Sequence, residues 1–196
     1  MSEKDVEQKT LELVRESGAL LEGHFLFTSG LHSPFYFQCA LLLRYPRNAA
    51  YTGEQIAKRL EQYKPDIVVS PAMGGVIIGH EVARYLDVPF LFCEREDNHM
   101  KLRRFPFFEG KRAVVVEDVI TTGGSVLEVG TLLQEKGAEW LATACIVDRS
   151  AGKRLVLKEP PISLCKVTFP VFDPTDCPLC RQGLPLVKPG SRQLKY

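Results

Sequence analysis

The feature that most constrains this 196-residue chain is a series of short, continuous apolar runs, each handed on to a polar loop. "DIVVS", "VPFLFC", "RAVVVE" and "LATACIVD" are short for helices and too uniformly apolar to keep one face in water. Runs of that length, rich in β-branched residues, read as strands buried on both sides. Between them lie stretches with helical spacing: about Asn48–Tyr63, the residues after "PAMGG" to about Tyr85, and Gly124–Lys136. Strands alternating with helices predict βαβ units, a parallel sheet and right-handed crossovers that cover both faces. The expected class is α/β, a central parallel sheet flanked by helices, in a single domain over 1–196.

Within that domain, about 1–45 reads as a helix (about Val6–Glu16, ending near Gly18) and two extended pieces around a Ser29–Gly30 turn. About 46–150 is the core sheet. Inside it "EREDNHMKLRRFPFFEG" is dense in charge and poor in periodicity, so about 94–109 is expected to be a flexible functional loop, or else a solvated charge run. About 172–196 holds four prolines and no periodic run, and is expected to be an irregular tail.

A formal net charge of +1 leaves no global footprint for nucleic acid or an anionic membrane surface. No apolar run approaches the roughly 20 residues that span a bilayer. The N-terminus, "MSEKDVEQKTLELV", is charged and amphipathic rather than a signal peptide, so the cytoplasm is the expected compartment. Cys39, Cys93, Cys145 and Cys165 sit singly among apolar residues and read as small buried hydrophobes. Cys177 and Cys180 form a CxxC with no second CxxC or paired histidines after it. That pair is expected to be structural or incidental, with zinc held between subunits as the lesser reading.

In open parallel sheets, ligands bind at the carboxyl ends of the strands. Four polar loops fall there: "SPAMGG", "EREDNH", "EDVITTGGS" and "VDRS" with Arg149. The loop Thr121–Ser125 precedes a helix, where free amides and the helix dipole favour an anion; a capped helix start would account for the glycines equally well. Neither account explains Glu117 and Asp118, which have no basic residue nearby in the stretch. Carboxylates beside a phosphate would repel it, so they suit hydroxyls or a hydrated divalent cation. Sugar hydroxyls next to a phosphate amount to a ribose phosphate.

The stretch "AVVVEDVITTGGS" closely resembles the phosphoribosyl pyrophosphate (PRPP) signature of type I phosphoribosyltransferases. The resemblance implies their fold, with a small N-terminal hood over the sheet, and PRPP binding by Glu117, Asp118, Val119, Ile120, Thr121, Thr122, Gly123, Gly124 and Ser125. It makes Ala72, Met73, Gly74 and Gly75 the pyrophosphate loop. "GHFLFTSGLHSPFYFQ" is similar to the hood of orotate phosphoribosyltransferases, and Arg149 matches the arginine that pairs with the orotate carboxylate. Tyr36, Phe37 and Thr121 are then orotate contacts, and Arg95, His99 and Lys101 the catalytic cations. Two departures stand out. "REDNH" is one residue shorter than the family's Lys-Glu-x-Lys-x-His loop and lacks its second lysine, for which Lys101, Arg103 and Arg104 are candidates; and Thr28 stands where many orotate enzymes carry a lysine. The resemblance further implies Mg²⁺ held mainly through PRPP and water, and a homodimer with shared active sites. It implies neither nucleic acid nor membrane as a partner. A phosphoribosyltransferase for another base, and a non-catalytic PRPP-binding regulator, are the alternatives.

Overall fold

A capping box starts the chain's first helix: Ser2 Oγ accepts from the Asp5 amide, and an Asp5 carboxylate oxygen accepts from the Ser2 amide. Helix α1 (Glu3–Glu16) therefore begins three residues before its first apolar position, Val6, and buries Val6, Leu13 and Val14. The structure, a computed structural model, describes residues 1–27, 29–106, 109–150, 156–157 and 159–189. Thr28 lies outside the described residues.

Strands β1 (Leu20–Leu26) and β2 (His32–Phe37) pair antiparallel into a separate two-stranded hood. Gly30 turns the chain between them at φ 83°, a conformation that glycine adopts without steric cost. The tail does more than pack outside. Phe172 bridges to His32 on one side of the hairpin and Val187 to Phe25 on the other. So the segment expected to be irregular supplies pairing groups to both edges of the hood.

After α2 (Cys39–Leu43) and α3 (Pro46–Leu60) come β3 (Ile67–Pro71), α4 (Gly74–Leu86), β4 (Phe90–Glu96) and β5 (His99–Lys101). Then follow β6 (Arg112–Ile120), α5 (Gly124–Glu135), β7 (Glu139–Asp148), β8 (Ile162–Lys166) and the short α6 (Pro178–Arg181). The second sheet runs β5-β4-β3-β6-β7-β8, parallel throughout except for β5. Alternation along β6 sends Val114 and Val116 into the core beneath α1, α3 and α4, and Ala113 and Val115 into the core beneath α5. Both faces are dry, as the uniformly apolar runs require.

Three local outcomes differ from the sequence reading. Strand β6 does not end at the acids but continues through Asp118 to Ile120, pairing with β7 as far as Asp148. The charge-dense segment is not all loop: β4 runs on to Glu96 and turns back through Asp97 and Asn98 into β5. Both turn residues have positive φ, 50° and 65°, as a two-residue type I′ hairpin turn requires. Finally, β8 adds a sixth strand beside β7.

Chain order explains where a ligand can enter. From β3 the crossover through α4 leads outward to β4, whereas β6 leads through α5 the opposite way to β7. The crevice between the carboxyl ends of β3 and β6 is thus the switch point of the sheet.

Candidate active site

A cleft of about 780 Å³ opens beside that switch point, over the carboxyl end of β6 and beneath the hood. The whole stretch Glu117–Ser125 lines it, together with Tyr36, Phe37 and Arg149. The hood and the sheet rim therefore face each other across one cavity, and the predicted ribose-phosphate and base residues share it.

Glu117 and Asp118 are the cavity's acids. Glu117 is 9% exposed, and Asp118 is half-buried beside it. Burial pushes the Glu117 carboxyl well above the usual carboxylate range, and the neighbouring Asp118 charge adds to it. Burial raises Asp118 as well. Their hydrogen bonds are to backbone amides: Glu117 Oε1 accepts from the Asp118 amide at 3.2 Å, and Asp118 Oδ1 from the Val119 amide at 2.8 Å. What stands against them is the start of α4. A Cβ on Gly74 would lie 2.6 Å from Asp118 Oδ1, and one on Gly75 would lie 3.2 Å from Glu117 Oε1. The positive end of a helix dipole thus takes the place of a basic partner. Here the sequence-predicted pyrophosphate loop, Ala72–Gly75, meets the acid pair directly. The Ala72 amide donates to Cys93 O at 2.8 Å, which ties the loop to β4, and the Ala72–Met73 peptide is cis.

Behind the acids, Gly123 is the N-cap of α5 at φ 83°. Its missing side chain matters twice, because a Cβ there would also lie 2.8 Å from Leu157 Cγ. The first amides of α5 have no intrahelical acceptor and open onto the cleft, which makes an anion site. Thr122 O accepts from the Val156 amide at 3.1 Å, fixing the loop from outside.

Arg149 is held by rings. Its guanidinium carbon sits 4.9 Å from the Phe27 centroid and 4.6 Å from that of Phe169. Burial pulls its pKa below the ordinary value, a sign of a cation whose hydration is only partly replaced. The neighbouring Asp148 is engaged elsewhere, accepting from the Ser150 amide at 2.8 Å. Tyr36 feels both charges. Burial raises its hydroxyl first and the Asp118 charge next, while Arg149 opposes. Phe37, 5% exposed, closes the floor as part of the core.

The predicted catalytic cations are distributed unevenly. Arg95 donates to Glu128 Oε1 at 2.8 Å, and Glu128 on α5 lines the cleft. Lys101 instead pairs with Glu96 at 2.6 Å, Arg103 with Glu96 at 2.9 Å, and Arg104 with both oxygens of Glu94. His99 is exposed on β5 opposite Glu96. Arg95, His99 and Lys101 all stand on the hairpin, outside the residues that line the cleft, and the predicted pyrophosphate loop Ala72–Gly75 lies outside that lining too. Sequence reasoning missed Phe27 and Phe169 as the clamp on Arg149, and Lys188 of the tail at the cleft's edge. Phe27 lay within a motif already singled out, whereas nothing local marks Phe169 or Lys188.

The chain matches the family model described as a phosphoribosyl transferase domain over residues 42–172. It is 53% identical to the orotate phosphoribosyltransferase of Thermotoga petrophila, over 94% of this chain and 98% of that protein. It is 46% identical to that of Caldanaerobacter subterraneus subsp. tengcongensis, over 95% and 98% respectively. Among solved structures, Mycobacterium tuberculosis orotate phosphoribosyltransferase in complex with inorganic phosphate superposes with a TM-score of 0.65. That match covers 83% of this chain and 96% of that one at 20% identity, a likeness of fold.

Proposed function

Because this chain belongs to the phosphoribosyl transferase domain family, and within it to the orotate phosphoribosyltransferases, we propose that its cleft joins orotate to the ribose 5-phosphate of PRPP. The products are orotidine 5′-monophosphate and pyrophosphate, a step of pyrimidine biosynthesis. The observation that carries the base assignment is Arg149, a half-buried guanidinium clamped between Phe27 and Phe169 on the cleft that also holds the acid pair. A planar cation whose water is partly stripped suits a carboxylate through two parallel hydrogen bonds. Neutral purine bases offer it no such partner.

In this reading a ring nitrogen of orotate attacks the anomeric carbon and gives up its proton to solvent or to the departing pyrophosphate as the C–N bond forms, and the C–O bond to pyrophosphate breaks with the electron pair leaving on oxygen. No protein nucleophile is required, so the residues act by position and charge. The first amides of α5, with Thr121, Thr122 and Ser125, hold the 5′-phosphate. Glu117 and Asp118 accept from the ribose hydroxyls and favour positive charge developing on the ring. Tyr36 and Thr121 border the base, and Ala72–Gly75 receives the pyrophosphate at the start of α4. Arg95 reaches from the hairpin to neutralise the leaving group, with His99, Lys101, Arg103 and Arg104 following as the hairpin closes.

The acid pair fits a divalent cation by its donor chemistry: two oxygen-only ligands, raised by burial and facing the cleft. Mg²⁺, when bound with PRPP, would supply charge neutralisation to the pyrophosphate oxygens, and Glu117 and Asp118 would hold its hydration water. The proposal includes a homodimer in which the 94–109 segment serves a shared site, and residence in the cytoplasm. No helix among the described residues is long and apolar enough to cross a membrane.

The test is loss of orotate absorbance in the presence of PRPP and Mg²⁺, with adenine and hypoxanthine as rivals. Turnover is expected with orotate alone. Arg149→Ala should raise the orotate KM about 10- to 100-fold, the worth of a charge-assisted pair, and leave the PRPP KM near that of the parent. An unchanged orotate KM would remove the base assignment.

A further inference from the structure

The hood and the tail share a second cluster of reactive side chains that the proposed reaction leaves unused. His24 stands on β1 and His32 opens β2, while Cys177 caps α6 and Cys180 lies within it. Their ligand atoms all lie within 4.8 Å of one another. His24, His32 and Cys177 are buried at 3%, 5% and 1% exposure, and Cys180 forms the one open corner.

The proton arrangement points inward. His24 Nδ1 lies 2.9 Å from Leu184 O, a contact that only an N–H can satisfy. That leaves His24 Nε2 as a bare lone pair in a neutral ring. It faces His32 Nδ1 at 2.9 Å, Cys177 Sγ at 3.6 Å and Cys180 Sγ at 3.8 Å. Cys180 Sγ is also 3.4 Å from His32 Nδ1. A carbonyl that fixes the far nitrogen of a ligating histidine is the common outer support of a metal site. The sulfur edges agree as well, whereas the His24 Nε2···His32 Nδ1 edge, at 2.9 Å, is shorter than the roughly 3.3 Å between two nitrogens of a tetrahedral site, so one imidazole must draw back as an ion enters. Bonds of about 2.3 Å to sulfur and 2.0–2.1 Å to nitrogen imply S···N edges of roughly 3.5 Å in a tetrahedron. The three S···N separations here run from 3.4 to 3.8 Å.

We propose that His24 Nε2, His32 Nδ1, Cys177 Sγ and Cys180 Sγ form a structural zinc(II) site within one chain, clipping the C-terminal tail onto the hood. Two thiolates with two imidazoles suit a borderline-soft ion and disfavour Mg²⁺ or Ca²⁺, and a closed set of four protein ligands is the pattern of a structural site. The CxxC lacked partners in sequence because Cys177 stands 153 positions after His24. The partners come from the hood of the same chain, not from a neighbouring subunit. The clip has a position that matters. Just beyond it, Val187 exchanges backbone hydrogen bonds with His24 and Leu26, both at 2.8 Å, and Lys188 then borders the substrate cleft. The ion therefore fixes the tail that forms one edge of the active site.

The experiment uses the full chain, stripped by a chelator under reducing conditions and titrated with zinc against a chromophoric competitor. Uptake of a single zinc per chain is expected, with a rise in Tm. Cobalt(II) in its place should give tetrahedral d–d bands with thiolate charge transfer. Cys180→Ser, at the open corner, should keep its far-ultraviolet spectrum while losing zinc affinity by more than the roughly 10–100-fold that an outer partner is worth. Uptake unchanged in Cys180→Ser would overturn the assignment. So would a reduced parent protein that binds no zinc, leaving the CxxC as a thiol pair or disulfide. Should Cys180→Ser fail to fold, the parent's cobalt spectrum decides, since bands without thiolate charge transfer would overturn the site.

Discussion

One methyl group tests whether the acid pair and the Ala72–Gly75 loop work as a unit. Gly74 has no side chain where Asp118 fills the space, and a Cβ there would sit 2.6–2.9 Å from all three carboxyl atoms. Gly74→Ala must therefore move the Asp118 carboxylate or the start of α4, at a cost of about 1–3 kcal/mol in a packed site. The expected outcome is a PRPP KM raised about 10-fold or more, with the orotate-facing Arg149 untouched. Steady-state kinetics with each substrate varied in turn make the check. Wild-type PRPP kinetics would mean that Asp118 does not face the ribose. The acids and the Thr-Gly loop were legible in sequence because they are consecutive, but Gly74 against Asp118 was not, since only the β3–β6 pairing brings position 74 to position 118. The same holds for Arg149, whose type and place on the rim were readable while its clamp of Phe27 and Phe169 was not.

At the level of elements, the β4–β5 hairpin separates cations that look equivalent in sequence. Lys101, Arg103 and Arg104 are each matched by Glu94 or Glu96 on the same hairpin. Arg95 alone among them reaches across to α5, through Glu128 at the cleft. These pairs are exposed and of small energetic weight, so their geometry matters here more than their strength. Arg95→Ala is expected to lower kcat about 100- to 1,000-fold, as loss of one charge-stabilising donor does, and Lys101→Ala several-fold less. Rapid-quench measurement of the chemical step distinguishes this from slowed product release. Equal losses would show that the hairpin rearranges to bring Lys101 onto the pyrophosphate. The strand half of this element was hidden because "DN" is a weaker turn signal than a glycine pair, and because β5 carries only three residues. The long βαβ elements were legible, their apolar runs and helical spacings being set by burial on both faces. The edge strand β8, only five residues long, carried no such run.

At the scale of the whole molecule, the sheet places one buried and one half-buried carboxyl at the end of β6, and the free protein carries the cost of keeping them there. Burial raises Glu117 well above its ordinary value and Asp118 above its own. A carboxyl raised in the folded state binds protons more tightly there than in the unfolded chain. Its contribution to stability is therefore fully present below the unfolded value, near pH 4, and is lost as pH rises through the folded one. Comparing the parent with Glu117→Gln cancels the other titrating groups and isolates this one. The two should melt together near pH 4, and the variant should become the more stable as pH rises toward 8. Each pKa unit between the two states is worth about 1.4 kcal/mol, and a domain this size gains about 2–4 °C per kcal/mol. A gap of at least a few degrees is thus expected at pH 8, in a variant that has lost PRPP turnover. PRPP with Mg²⁺ should narrow the gap by stabilising only the parent. Calorimetry across pH, with and without PRPP, makes the check, and a gap independent of pH would show that Glu117 is not ionised at a cost in the folded cleft.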